Sequence, residues 1–205
     1  MNADALIITH VLGYAANGVY QAAARFYQGA SQLPPIFASL FLPRMARDQG
    51  DIKQFSAHMK MLYGVMIVAG VFLLVAFFLM PYGITYIYND PSLAAAGALF
   101  PWFGLLLCIR FIAAAQGISV TVMNGQAVRV LLTCISLLVM VFLAVPLLES
   151  VGARGVILAS IVAYLFLSCS FWYWTRRKGV LPPRFLASAH LGFLGIAAAY
   201  ASYTH

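Results

Sequence analysis

Four polar side chains interrupt an apolar stretch near the start of the chain, at a spacing that places them on one side of a helix. The stretch "GVYQAAARFYQGASQLPP" (residues 18–35) contains Gln21, Arg25, Gln28 and Gln32. At 100° per residue, the four side chains lie within about 60° of arc and extend over about three helical turns. Lipid cannot satisfy such groups, since an arginine at the centre of a membrane helix costs about 2.5–3.5 kcal/mol on the insertion scale. This polar stripe is therefore expected to face protein or water.

Two interpretations of the polar stripe are open. Glutamines hydrogen-bond across neighbouring helices, so the stripe could hold helices together. Alternatively, it could form the wall of a water-filled substrate cavity. The arginine favours the cavity, because an interhelical role would require an acidic partner for it and no acid falls inside a predicted span. Asp4 lies at the start of an incomplete first helix, and the other acids lie in predicted loops: Asp48, Asp51, Asp90 and Glu149.

A second arginine, Arg110, lies about 24 Å along its predicted helix and is therefore deep in the bilayer. Asn124 lies on the same face of that helix. Arg110 could have a structural role, bonding backbone carbonyls near a kinked helix. Two intramembrane cations without an intramembrane anion indicate an anionic ligand instead, and arginine binds phosphate or pyrophosphate bidentately. The predicted substrate-binding residues are Gln21, Arg25, Gln28, Gln32, Arg110 and Asn124, with no catalytic residue, metal site or cofactor.

The composition places these residues in an integral membrane protein. The 205 residues are 63% hydrophobic and 8% charged, where a soluble domain has roughly 25% charged residues. Mean hydropathy is +0.92. The net charge of +7 comes from basic residues at span ends and singly inside spans, which argues against a nucleic-acid-binding domain. Neither the three cysteines nor the four histidines form a metal-binding pattern.

The predicted fold class is an all-α polytopic helical bundle of roughly six transmembrane helices of ~20 apolar residues each. The apolar stretch 5–16 predicts the outer part of an incomplete helix, and prolines 34 and 35 are expected to kink the span that follows. Basic residues alternate between successive loops, which places the loop at 44–60 in the cytoplasm. The chain is thus predicted to be a multi-pass protein of the cell inner membrane. The predicted spans are 19–42, 61–79, 94–123, 130–148, 155–174 and 185–203.

Several motifs resemble the polysaccharide and oligosaccharide flippases, which belong to the superfamily of the MATE exporters and lipid II flippases. The stretch "GVYQAAAR" at 18–25 is similar to that family's "G-x-Y-x-x-A-x-R" helix opening. "LPPIFASLFLPRMAR" at 33–47, "VMNGQ" at 122–126 and "VPLLESVGARGVILASIVAY" at 145–164 follow in the family's order. The resemblance implies two six-helix lobes around a cationic cavity, which by alternating access carry lipid-linked oligosaccharides of the undecaprenyl-pyrophosphate type. Such a protein serves the synthesis of O-antigen, capsule or exopolysaccharide and is not an enzyme.

The resemblance covers roughly residues 4–178 and implies that residues 1–178 are the C-terminal, six-helix-type lobe of such a flippase, with its first helix incomplete. Residues 179–205 are then a cytoplasmic linker and an additional transmembrane helix. The expected partners are an anionic lipid-linked oligosaccharide, membrane lipid, and an N-terminal lobe or second subunit. The alternatives are a non-transporting fragment, a half-transporter, a MATE-type drug exporter and a membrane glycan polymerase or ligase. The absence of an intramembrane acid disfavours the exporter, and the short external turns disfavour the polymerase or ligase.

Overall fold

The computed structural model describes residues 3–48, 51–88 and 96–178. No β-strand occurs in these three ranges, and the chain there forms α-helices joined by short turns. The predicted all-α class is therefore confirmed for this part of the chain. The helices, numbered in chain order, are α1 (Ala3–Ala30), α2 (Leu33–Arg47), α3 (Ile52–Tyr88), α4 (Phe100–Val122), α5 (Gln126–Val151) and α6 (Arg154–Arg177).

Four of these helices, α3 to α6, are long and apolar enough to cross a membrane. The predicted spans at 61–79, 130–148 and 155–174 lie within α3, α5 and α6, and α4 covers most of the span predicted at 94–123. These stretches combine the length that a bilayer requires with few charged residues. The four helices indicate a membrane protein. The predicted span at 185–203 lies outside the described residues.

The segment predicted as one kinked span, 19–42, is interrupted next to the two prolines. Helix α1 ends at Ala30 and α2 begins at Leu33, with Ser31 and Gln32 in a turn between them. Pro34 occupies the second position of α2. The first turn of a helix has no carbonyl to receive its N–H groups, so proline is tolerated there without breaking a hydrogen bond. The prolines thus mark the start of a new helical segment close to the predicted kink, and neither α1 nor α2 is among the four helices that are both long and apolar enough to cross a membrane.

Helix α1 contains a sharp bend at Gly13. This residue has φ +84° and ψ 177°, outside the helical region, and such positive φ values are readily adopted only by glycine. Across the bend, the Tyr20 hydroxyl donates a hydrogen bond to Asp4 Oδ2 over 3.1 Å. Sixteen residues of straight helix would separate these side chains by about 24 Å. The bend therefore folds the two arms of α1 toward each other, and it divides α1 into two helical segments, in agreement with the predicted end of one helix and start of another.

Helix α4 lies at the centre of the described bundle. It packs extensively on α3 and α6, and it also contacts α1, α2 and α5. In the most apolar stretch of α4, 83% of the residues are buried, whereas the corresponding fraction for α5 is 17%. Helix α5 lies outside, packed on α6. Large apolar side chains of the peripheral helices, including Val68, Phe72 and Phe142, remain exposed, as expected for surfaces that face lipid.

Candidate functional site: a polar cavity around Arg110

A polar cavity of about 510 Å³ opens between α1, α4, α5 and α6. Helix α4 supplies a single side chain, Arg110, from near the middle of its length. The other three helices contribute tyrosines, hydroxyl groups and apolar side chains around it. The remaining lining residues are Asp4, Tyr20, Ala24, Tyr27, Gln28, Ser31, Thr133, Ser136, Leu137, Met140, Ser160, Ala163, Tyr164 and Leu167.

The guanidinium of Arg110 is held between two tyrosines from different helices. Its Nη1 donates a hydrogen bond to the Tyr27 hydroxyl over 2.8 Å. Its central carbon lies 5.6 Å from the centroid of the Tyr27 ring and 5.8 Å from that of Tyr164, distances at which a cation is attracted to the face of an aromatic ring. An arginine has five N–H donors, so this arrangement orients the cation and leaves donors available to a ligand.

Asp4 brings a negative charge into the same cavity. Its carboxylate accepts the hydrogen bond from Tyr20 described above. The described helices therefore hold an anion near the predicted cation Arg110, because the bend at Gly13 turns Asp4 from the start of α1 back toward the site. Within the described ranges the salt bridge present is His58–Asp48, at 3.0 Å. Asp4 and Arg110 thus share a cavity without direct ion-pair contact.

The serine hydroxyl groups that line the cavity donate their hydrogens to the protein's own backbone. Ser136 donates to the carbonyl of Ala163 across the α5–α6 interface, over 2.8 Å. Ser31 and Ser160 likewise donate to carbonyls in the preceding helical turn. Each oxygen retains lone pairs that can accept. The hydroxyl groups therefore present acceptors to a ligand, and donors for an anion come from Arg110 and the side-chain amide of Gln28.

The structure brings two of the six predicted binding residues together, Gln28 and Arg110. The packed face beside the cavity is formed by Tyr20, Ala24 and Tyr27 of α1 and by Ser31 of the turn that follows, at helical spacing. This face is rotated by about 100° from the centre of the polar stripe, so Gln28 lies on its edge. Arg25 and Gln32 are exposed, and Gln21 is half-buried without lining the cavity.

Asn124 lies away from the cavity, in the turn between α4 and α5. It is exposed and has a φ of 59°, a left-handed conformation that asparagine adopts more readily than most residues. This turn falls in the gap between the predicted spans 94–123 and 130–148. Nearby Thr121 accepts a hydrogen bond from Arg129 Nη1 over 2.7 Å. Thr121 and Asn124, at the C-terminal end of α4, therefore help to connect α4 to α5 and do not line the cavity.

Sequence reasoning missed the aromatic part of the site. Tyr20 and Tyr27 are seven residues apart and share a helix face, which was the available signal. Their rings pack against Phe103 of α4, with centroids 5.5 and 5.1 Å away. Tyr164 comes from α6, 137 positions after Tyr27 in the chain, and no local pattern links the two. The described residues contain no group of three or more His, Cys, Asp or Glu side chains that could hold a metal ion.

Comparison with protein-family models, with curated proteins and with solved structures found no match to this chain.

Proposed function

We propose that this protein takes part in moving a lipid-linked anionic oligosaccharide across the cell inner membrane by alternating access, as a lobe of a flippase. The substrate would be of the undecaprenyl-pyrophosphate type and would serve the synthesis of a cell-surface polysaccharide. Arg110 would bind the pyrophosphate, and Gln28 would donate a further hydrogen bond from the edge of the cavity. The hydroxyl groups of α5 and α6 would accept hydrogen bonds from the sugar.

The observation that carries this proposal is the environment of Arg110. A cation near the middle of the most buried membrane-length helix is costly unless it has a function or a partner. Its contacts are two tyrosines, and no acid lies within salt-bridge distance among the described residues. A pyrophosphate would supply the missing negative charge and accept paired N–H groups of the guanidinium.

The remaining polar stripe fits a second lobe. Arg25 and Gln32 are exposed on the side of the α1–α2 region that the described helices leave uncovered, and Gln21 lies half-buried beside Arg25. A partner lobe, supplied by another chain or another part of a longer one, would place these groups in the central cavity between the lobes. In this arrangement Arg25 binds substrate only after the lobes meet, whereas Arg110 already has a cavity within this chain.

Asp4 favours a second candidate function, the export of organic cations in the manner of a MATE-type exporter. The sequence disfavoured that function because no acid falls inside a predicted span, whereas in the structure Asp4 lines the cavity. The half-buried carboxylate of Asp4 can attract a cationic substrate, and the tyrosines can stack on such a substrate. The anionic substrate is preferred because Arg110 lies deeper, in the central helix.

Ligand binding to the purified full chain in detergent separates the two candidates. We expect undecaprenyl pyrophosphate to bind, and Arg110→Gln to weaken binding by about 10- to 100-fold, the equivalent of one or two charge-assisted hydrogen bonds. Arg154→Gln is the matched control, because Arg154 is an exposed arginine at the start of α6. Arg110→Lys should retain part of the affinity. Native mass spectrometry with increasing lipid concentrations measures all four proteins.

Two results would count against the anionic substrate. Equal affinity of the wild type and Arg110→Gln for undecaprenyl pyrophosphate would remove Arg110 from the site. Binding of tetraphenylphosphonium that is lost in Asp4→Asn and retained in Arg110→Gln would establish the cation-export alternative.

A further inference from the structure

A second cavity lies on the outer side of the α5–α6 pair and shares no lining residue with the Arg110 cavity. It is an open groove of about 410 Å³ between the first turns of α5 and the last turns of α6. Its walls include Leu132 of α5 and Phe166, Cys169, Tyr173 and Trp174 of α6. These side chains are largely apolar. Both helices are of membrane length, so the groove opens toward lipid.

Cations are fixed at the end of the groove where α6 terminates. The guanidinium carbon of Arg177 lies 4.8 Å from the centroid of the Tyr173 ring. Lys178 Nζ lies 5.7 Å from the Trp174 ring centroid. Each of the two aromatic rings at this end of the groove therefore has a positively charged side chain against it. No acid pairs with these cations among the residues that the structure describes, where the salt bridge found is His58–Asp48.

The depth of the groove corresponds to one leaflet of a bilayer. Its lining residues on α6 extend from Phe166 to Trp174, which is eight residue steps or about 12 Å of helix. Half of a typical hydrocarbon core is ~15 Å. The aromatic and basic residues at the end of α6 are typical of the boundary between hydrocarbon and headgroups. The groove thus has an apolar part at the depth of acyl chains and a cationic part at the depth of phosphates.

We propose that this groove is a binding site for an anionic phospholipid of the leaflet that contains the basic end of α6. One acyl chain lies between α5 and α6 against Leu132, Phe166 and Cys169. The phosphate lies beside Arg177 and Lys178. Charge complementarity selects this occupant, because a zwitterionic lipid would fill the groove equally well and would gain less from the two cations. The site is independent of the transport substrate proposed above.

Binding of two lipids to the purified, delipidated full chain tests the proposal. We expect phosphatidylglycerol to bind more tightly than phosphatidylcholine of the same acyl chains, as measured by native mass spectrometry. Arg177→Gln and Lys178→Gln should each reduce this preference by about fivefold, the effect of one basic residue near an anionic headgroup. Cys169→Trp should fill the groove and reduce the binding of both lipids. Cys134→Trp is the control, since Cys134 is exposed on α5 and does not line the groove.

Thiol reactivity gives a second measurement on the unmodified protein. Cys134 and Cys169 are both exposed, so a lipid-soluble maleimide should label both in phosphatidylcholine vesicles. Adding phosphatidylglycerol to the vesicles should slow labelling of Cys169 alone.

Four results would overturn the proposal. The first is equal affinity of the protein for phosphatidylglycerol and phosphatidylcholine. The second and third come from thiol labelling: anionic lipid protects Cys134 and Cys169 equally, or undecaprenyl phosphate protects Cys169 more strongly than phosphatidylglycerol does. The fourth is that Cys169 fails to react even in vesicles without anionic lipid. The last result would assign the groove to residues 179–205, which follow Lys178 in the chain.

Discussion

Gly155 provides the sharpest test of how α5 and α6 pack. It is buried at the second position of α6, directly after the turn that joins the two helices. A Cβ at this position would overlap the carbonyl group of Leu147 and would lie 2.6 Å from the backbone nitrogen of Leu148. These obstructing atoms belong to backbone, so no side-chain rotation relieves the overlap. Gly155→Ala should therefore displace the start of α6 from the end of α5.

The expected cost follows from two opposing effects. Adding a methyl group to a tightly packed site typically destabilises a protein by about 1–3 kcal/mol. Replacing glycine by alanine inside a helix otherwise stabilises it by up to about 1 kcal/mol. Gly64→Ala is the matched control, since a Cβ on Gly64 of α3 would meet no atom within 4 Å. The helix gain is common to both variants and cancels, so they should differ in free energy of unfolding by the packing cost, about 1–3 kcal/mol.

A buried cysteine supplies the assay. Cys108 of α4 is 0% exposed, whereas Cys134 and Cys169 are exposed. In a Cys134→Ser/Cys169→Ser background, a thiol-reactive dye reports unfolding through Cys108. Gly155→Ala should lower the midpoint of unfolding by about 2–4 °C per kcal/mol, the scale for chains of this size. Gly64→Ala should leave it unchanged or raise it. Equal midpoints for the two variants would refute the close packing of α6 on Leu147.

Two further predictions concern buried polar contacts. Ser168 donates to Gln116 Oε1 over 2.7 Å in the core, while Gln116 Nε2 has no partner among the described residues. Ser168→Ala should therefore cost about 1–3 kcal/mol, and the double variant Gln116→Leu/Ser168→Ala should recover most of it, because an apolar pair leaves no unsatisfied group. A double variant less stable than Ser168→Ala in the dye assay would contradict this account. Tyr20→Phe removes the hydrogen bond to Asp4 and should speed amide hydrogen exchange in residues 3–12 while leaving α4 unchanged. Equal exchange in the first arm of α1 would show that this bond does not hold the bend.

The sequence by itself determined the features that depend on local pattern. Four apolar stretches of membrane length became α3 to α6, because length and hydropathy decide whether a helix can cross a bilayer. The turn at Asn124-Gly125 was predictable from residues that tolerate left-handed conformations. The placement of Gln28 and Arg110 inside helices, where lipid could not satisfy them, also followed from the sequence.

The tertiary structure alone decided which polar groups meet. A helical wheel gives the angles between side chains on one helix and does not give the direction of the neighbouring helices. Arg25 and Gln28 therefore shared one predicted face, although only Gln28 borders the cavity. The bend at Gly13 brings Asp4 to Tyr20, and the packing of α1 on α4 brings Tyr27 to Arg110, 83 positions away. Such contacts arise from the mutual packing of helices, which no pattern within a single helix encodes.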